Sequence, residues 1–460
     1  MEGFWGFFSA LSNMGSTALL PIFIVLAALA LHTRPRDALR SGLTAGLCLI
    51  GMSTVLSVFR TTLLQLAREI VRRFELSLEI SETGWTAAGT ITYASKISLF
   101  IIPLYLLINL LMLATRTTRT INLDIWNYWQ AGFVGVMVQS LTGKLYLGVI
   151  AAAASVVILL VLTDTYAQRL QKHTGVPGIS IAFGFAAAFS PVVYFFNWLM
   201  DFSPGWRKHP VTLEYLRRRV GVLADPALLG GLLGAGLSLL AGRSFSNLAQ
   251  TAFSMAAVVF LLPVLGRLLA DALAPIAQAA DASRPKTLLC APRLIGLSTT
   301  AGTGSAAVLL TTMVLTPMIL FLAPLLPGNR LSPDADVTLL PFLMVMVVAV
   351  CRGDLIRSLI TGLLAMIVML YCGTSLAGLF TAAAVAAAPS VYESLGPVVS
   401  LCGGASPLTW LAVMLAVFGF AGVCVLVLIA VCFAVGNHSA IVGKVDPLSR
   451  KLITALSPKK

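Results

Sequence analysis

Charge is scarce in this chain: 11% of its 460 residues are Asp, Glu, Lys or Arg, against roughly 25% in ordinary soluble domains. Acidic residues are the scarcer kind, 18 against 31 basic ones, for a formal net charge of +13. No polar stretch is long enough to form an attached soluble catalytic domain. The four histidines (His32, His173, His209, His438) lie in polar loops or near the ends of apolar runs. An intramembrane Ser or Cys nucleophile would therefore lack its usual base. HExxH and GxxxxGK[ST] are both absent, and Gly302-Thr303-Gly304 lacks the strand and Lys of a phosphate loop. The seven cysteines (Cys48, Cys290, Cys351, Cys372, Cys402, Cys424, Cys432) contain no CxxC pair. They read as small buried hydrophobes, not as metal ligands or a disulfide framework. The opening MEGFWGFFSALSNMG has no basic n-region of a cleaved signal peptide. These absences exclude a soluble enzyme, a disordered chain, a disulfide scaffold and an intramembrane hydrolase, and they predict no catalytic residue, no metal and no cofactor.

What the chain has is apolar sequence: 58% hydrophobic residues and a mean hydropathy of +0.93. It reads as a polytopic all-α membrane protein, one integral-membrane domain over residues 1–460. The basic excess comes in short clusters (Arg34/Arg36/Arg40, Arg116/Arg119, Arg207/Lys208, Arg217 to Arg219, Arg450/Lys451). These fit the cytoplasmic ends of membrane spans and need no nucleic-acid partner. Apolar runs at 16–31, 39–59, 97–114, 131–162, 179–199, 228–241, 252–270, 306–326, 339–350, 355–370 and 410–435 predict about ten crossings with interfacial and re-entrant pieces. Thr142-Gly143-Lys144 should break the run 131–162, and the amphipathic stretch 61–80 reads as a helix lying in the interface.

GWTAAGTITYASK (84–96), GLSTTAGTGSA (296–306) and LCGGASPLTW (401–410) combine Gly, Thr, Ser and Pro between apolar runs. Irregular backbone survives at membrane depth only where protein buries it or where it lines a cavity. An internal repeat joins two of these segments. DALRSGLTAGL (37–47) matches DLIRSLITGLL (354–364) at Asp, Arg, Ser, Thr and Leu, and the same spacing lays AGTITY (88–93) on ASPLTW (405–410). The repeat therefore spans 37–93 with 354–410, and its orientation is open at this stage. Duplicated units with interrupted helices in corresponding positions point to a transporter's binding site, so the class is a permease. Thr86, Gly89, Thr90 and Thr92 in the first segment, with Ser406 and Thr409 in the second, offer hydroxyls and free backbone N–H groups suited to an uncharged polyol. The alternative is that these hydroxyls bond their own helix carbonyls. Asp124, Asn127 and Gln130 share a helical face and either contact the solute or are carried there by the interfacial anchors Trp126 and Trp129. Arg352, Asp354 and Arg357 read as a structural ion-pair cluster, since Asp37 and Arg40 repeat the spacing.

ATRTTRTINLDIWNYWQA (114–131) resembles the galactitol-type IIC permeases of the phosphoenolpyruvate-dependent sugar phosphotransferase system, whose pattern there is a TR-x-TR pair followed by DIWNxW. The resemblance continues through FELSLEISETGW (74–85), LPVLGRLLADALAPIAQAA (262–280), LPGNRLSP (326–333), VAVCRGDLIRSLITG (348–362) and GGASPLTW (403–410). It implies a homodimeric permease of the bacterial inner membrane, each protomer a scaffold plus a substrate-carrying core. It also implies a neutral polyol or sugar substrate and separate cytoplasmic IIA and IIB subunits, the latter phosphorylating the solute. An ion-coupled carrier on the same scaffold is the other reading. The chain departs from the family at its histidines: Gln130, Phe183, Ser305 and Cys351 stand where the family has His, and Ser298 where it has Asp. That substitution pattern predicts that galactitol is not the best substrate and that binding is nearly flat between about pH 5.5 and 7.5.

No basic residue precedes His32 and Arg34, while Arg34, Arg36 and Arg40 follow the first apolar run closely. The N-terminus should therefore lie outside the cytoplasm. A cysteine introduced at Ser12 in a cysteine-free background is expected to react with an impermeant thiol reagent added to intact cells. Labelling only after lysis would reverse the orientation.

Overall fold

The computed structural model describes residues 21–22, 24–26, 28–29, 33–124, 128–202, 210–282 and 294–442. In chain order the elements are α1 (Pro35–Phe74), β1 (Ser81–Glu82), α2 (Trp85–Ala94), α3 (Ser98–Ala114), β2 (Thr120–Asn122), α4 (Tyr128–Thr142), α5 (Leu145–Thr174) and β3 (Ile179–Ser180). There follow α6 (Gly184–Ala188), α7 (Ser190–Met200), α8 (Leu213–Val220), α9 (Pro226–Leu240), α10 (Phe245–Ala282), β4 (Leu294–Gly296), α11 (Ala306–Leu322) and α12 (Leu340–Val350). The last are α13 (Leu355–Ala387), β5 (Val398–Val399), α14 (Pro407–Ala416) and α15 (Gly419–Val442). Among the described residues six helices are long and apolar enough to cross a membrane, or up to eight if the bent pairs α2–α3 and α8–α9 each count as one span. The first expected span, 16–31, falls largely outside the described residues.

Local chemistry sets most boundaries. α1 has Pro35 in its first turn and ends where Glu75 enters the left-handed region at φ 54°. At 40 residues it is about 60 Å long, twice the roughly 30 Å of a bilayer's hydrocarbon. The stretch 61–80 is accordingly not a separate interfacial helix. No Gly-Pro or turn signal interrupts the chain before Phe74, so residues 61–74 simply continue α1, and only 75–80 leave it. The expected break inside 131–162 is present: Gly143 takes φ 69° between α4 and α5, and Lys144 sits there exposed. The segments expected to be irregular are only partly so. Residues 85–94 and 407–416 are short helices, and the extended or bent backbone is confined to their ends. α2 meets α3 at an angle of 98° across residues 95–97.

α1, α9 and α10 pack against one another, while α4, α5, α14 and α15 form a second group and α11 to α13 lie beside it. Arg243, after α9, pairs with Glu69 of α1 at 2.6 Å, and Arg73 donates to the carbonyls of Leu239 and Leu240 at 2.9 Å each, satisfying the end of α9. α1 and α13 run in the same sense along α11. Gly304, just before α11, faces Met52, and Phe74 packs on Phe321 at its far end; Gly362 faces Leu315, and Tyr371 bonds the carbonyl of Pro327. At the periphery, Arg330 pairs with Glu79 and holds that carboxyl below the usual carboxylate range. Beside it Ile80 donates to the carbonyl of Arg330 at 2.8 Å.

The short strands tie loops together. β1 pairs in parallel with β5, Ser81 opposite Val398 and Glu82 opposite Val399. β4 lies between β2 and β3. The β1–β5 register places residues 317 positions apart face to face, the same offset that relates the sequence repeat.

The α4–α5 hairpin closes on two small residues. A Cβ at Gly135 would lie 2.5 Å from the carbonyl oxygen of Gly148. Gly135→Ala is therefore expected to destabilise the protein by about 1–3 kcal/mol, read as a lower melting temperature in detergent. Gly236→Ala in α9, where a Cβ would meet nothing within 4 Å, should be neutral or slightly stabilising.

Candidate functional site

The lead-ins to α2 and α14 converge on two buried carboxyl groups. Glu82 is 7% exposed and Asp336 1%. Glu82 Oε1 accepts from the backbone N–H of Gly84 at 2.9 Å and of Leu401 at 3.4 Å. Asp336 accepts from the N–H of Trp85 at 2.9 Å, the N–H of Cys402 at 3.2 Å and the Ser400 hydroxyl at 2.9 Å. The backbone N–H of Asp336 in turn donates to Glu82 Oε2. Gly84 and Leu401 are 317 positions apart, as are Trp85 and Cys402, so each carboxyl group receives one N–H from each lead-in. Helix N-termini leave backbone N–H groups without intrahelical partners, and an unmet buried donor costs about 1–3 kcal/mol. The acid pair meets that demand at the start of α2 through Gly84 and Trp85, and it also satisfies the buried N–H groups of Leu401 and Cys402 in the loop that leads to α14. The nearby cation is Arg60 of α1, whose guanidinium lies 5.5 Å from the Phe342 ring centroid.

Beyond this junction lies a small cavity with polar lining from Gln130, Ser406 and Thr409 and apolar lining from Val134, Leu159, Phe185 and Leu408, closed by Gly184 and Gly403. Gly403 has φ 101°, and a Cβ there would press on the Phe133 ring at 3.1 Å and on Ala88 at 3.4 Å, so the two broken segments touch through it. Gln130 is pinned: its carbonyl accepts from Phe185 N–H at 3.1 Å, and its amide donates to Cys402 Sγ at 3.7 Å. Thr409 is 1% exposed, and among the described residues its hydroxyl has no hydrogen-bond partner.

The expected site residues separate on this geometry. Gln130, Ser406 and Thr409 line the cavity together. Thr92, at the repeat position of Thr409, instead bonds the Ala88 carbonyl at 2.8 Å, and Thr90 bonds the Thr86 carbonyl at 3.0 Å. Thr86 and Thr90 are exposed, and Gly89 is buried in α2; none of these four lines the cavity. Asp124 lies on the loop after β2, its N–H on Asn122 Oδ1 at 3.1 Å, and Asn127 falls outside the described residues. Asp354 caps α13 through the N–H groups of Ile356 and Arg357, while Arg357 pairs with Asp201 at 2.6 Å and lies 3.8 Å from Asp354. That cluster reads as structural.

Sequence reasoning did not single out Glu82, Asp336, Gly184 or Phe185. The available signal for Glu82 was a carboxylate three residues before the Trp that opens α2, but Glu75 and Glu79 precede it in the same segment and look alike in sequence. The substituted histidine positions have distinct fates. Phe183 joins Phe185 and Phe342 at 5.9 and 5.6 Å between centroids, an apolar wall behind the cavity. Ser305 bonds His173 from the end of α5 at 2.8 Å.

Broken helices meeting at a buried cavity without charged lining, inside an all-α membrane bundle, are the architecture of a transporter. The chain matches the family described as "PTS system sugar-specific permease component" over residues 11–391. It is 32% identical over 374 residues to the "Putative permease IIC component" of Escherichia coli (strain K12), covering 81% of this chain and 86% of that protein. It is 30% identical over 401 residues to the "PTS system galactitol-specific EIIC component" of the same organism, covering 87% and 88%. The chain belongs to the sugar-specific permease family of the phosphotransferase system. It is a multi-pass protein of the bacterial inner membrane, a transport component that works with separate IIA and IIB subunits on a sugar substrate. The ion-coupled reading is not favoured by this membership.

Gly184 leaves room for Gln130: a Cβ there would lie 2.5 Å from Gln130 Oε1. Gly184→Ala should displace Gln130, strand the Phe185 N–H and cost about 1–3 kcal/mol, read as a melting-temperature loss that Gln130→Ala in the same chain partly relieves.

Proposed function

We propose that this permease binds a neutral, sparsely hydroxylated polyol or related sugar in the cavity between Gln130, Ser406 and Thr409 and releases it to IIB for phosphorylation. On this reading it performs no bond chemistry of its own and works as a homodimer, each protomer a scaffold plus a core. The observation that carries the site is the Thr409 hydroxyl, buried in the cavity wall without a partner. A buried unmet hydroxyl is costly, and a solute hydroxyl would satisfy it. The cavity lining holds no charged side chain, which suits an uncharged solute. Its remaining wall (Val134, Leu159, Phe185, Leu408) offers nothing to a ring of hydroxyls. Galactitol, named for the relative, would leave some of its six hydroxyls unpaired against that wall.

The repeat-related threonines separate solute binding from packing. Thr409→Val should weaken solute binding by about 1–3 kcal/mol while leaving the melting temperature unchanged or raised, since it deletes an unmet hydroxyl. Thr92→Val should do the reverse, because its hydroxyl already serves the Ala88 carbonyl. Competition binding on purified protein should rank shorter or deoxygenated polyols above galactitol. Equal effects of both mutants on assembly and binding, or galactitol as the tightest ligand, would sink this reading.

A further inference from the structure

Glu82 and Asp336 lie side by side: the Asp336 backbone N–H donates to Glu82 Oε2, and the consecutive donors Gly84/Trp85 and Leu401/Cys402 are each divided between the two carboxyl groups. Two adjacent carboxyl groups in a buried site strongly disfavour double ionisation, so one of them keeps its proton. The surrounding charges lead to the same requirement. From α1 comes Arg60, a guanidinium whose Nε has no partner and which rests over Phe342. From the second lead-in comes the Cys402 thiol, held by the uncharged Gln130 of α4. Asp334 on the neighbouring loop faces Arg68 instead. With one guanidinium near the two carboxyl groups, double ionisation in this buried position would leave a charge uncompensated.

We propose that Glu82 and Asp336 share a single proton, and that this protonated pair positions the two broken helices for solute binding. This rests on the permease reading above for its solute, but not for its proton. The route to the cavity is short. The pair holds Gly84 with Leu401 and Trp85 with Cys402; Cys402 holds Gln130; and Gly403, Ser406 and Thr409 follow directly in the chain. Release of the proton to solvent would set two carboxylates against each other at the one point where the lead-ins meet, and the N–H donors they share would be pulled apart. Glu82 is thus a positioning residue that acts through Cys402 and Gln130.

The sign follows from which form is competent. Solute binding is complete while the pair keeps its proton and falls about tenfold per pH unit once the pH rises past the pair's midpoint. Full-length protein in liposomes can be followed by infrared spectroscopy and by equilibrium binding of a radiolabelled pentitol such as xylitol from neutral to alkaline pH. The wild type should show a buried carboxylic-acid C=O band that vanishes in step with binding. In Glu82→Gln that band should be missing and the alkaline fall in binding abolished, since the amide cannot ionise. A band unchanged by Glu82→Gln overturns the shared proton, and identical pH profiles in the two proteins overturn the positioning role. If Glu82→Gln does not assemble, the wild type decides: no acid band at neutral pH overturns the proposal, and a band lost together with binding supports it. Absent binding of the pentitol at every pH, with the band behaving as expected, would count against the solute reading and leave the proton in place.

Discussion

The structure turns on a backbone problem. Two broken segments inside a membrane protein carry buried N–H groups with no helical acceptor, at the first turn of α2 and in the loop before α14, and lipid offers none. Here a single buried carboxyl pair, Glu82 with Asp336, accepts from equivalent N–H groups of both lead-ins. The β1–β5 pairing continues the same junction. Remove the pair and the first turn of α2 and the loop before α14 both lose their acceptors, and the contact through Gly403 is unsupported. Scarcity of acid elsewhere in the chain makes the concentration of two carboxyl groups at this point the more informative.

Symmetry at the junction gives way to asymmetry at the cavity. The offset of 317 positions relates Gly84 to Leu401 and Thr92 to Thr409, yet only one of the two threonines is spent on its own helix. α2 lies against α4 through Gly132, whose Cβ would stand 3.1 Å from the Thr92 methyl, so Thr92 is enclosed by packing. Thr409 faces an opening.

The positions that the sequence resemblance sets opposite histidine serve packing and internal hydrogen bonds here. Phe183 has become part of an aromatic wall with Phe185 and Phe342, exchanging a donor and acceptor for apolar area. Ser305 is too short to reach far and instead receives His173 from the end of α5. Gln130 keeps both hydrogen-bonding capacities but spends them on Phe185 and Cys402. The site that results is smaller in hydrogen-bonding capacity than its sequence pattern alone implies.

The class was legible in the sequence because hydrophobic runs, basic clusters and the DIWNxW segment are local or compositional signals. A helix crosses lipid by satisfying its own backbone, so the residues between its ends suffice to reveal it. The break at Gly143 was legible because Thr-Gly-Lys interrupts an apolar run locally. The length of α1 was not, because an amphipathic stretch reads alike whether it lies in an interface or continues a helix past one. Which hydroxyl is free, which of Glu75, Glu79 and Glu82 is buried, and that Asp336 stands 254 positions from its partner Glu82 were decided by the tertiary structure alone. Each depends on which groups meet from distant parts of the chain, and hydrogen-bond satisfaction is a property of that meeting, which no single segment contains.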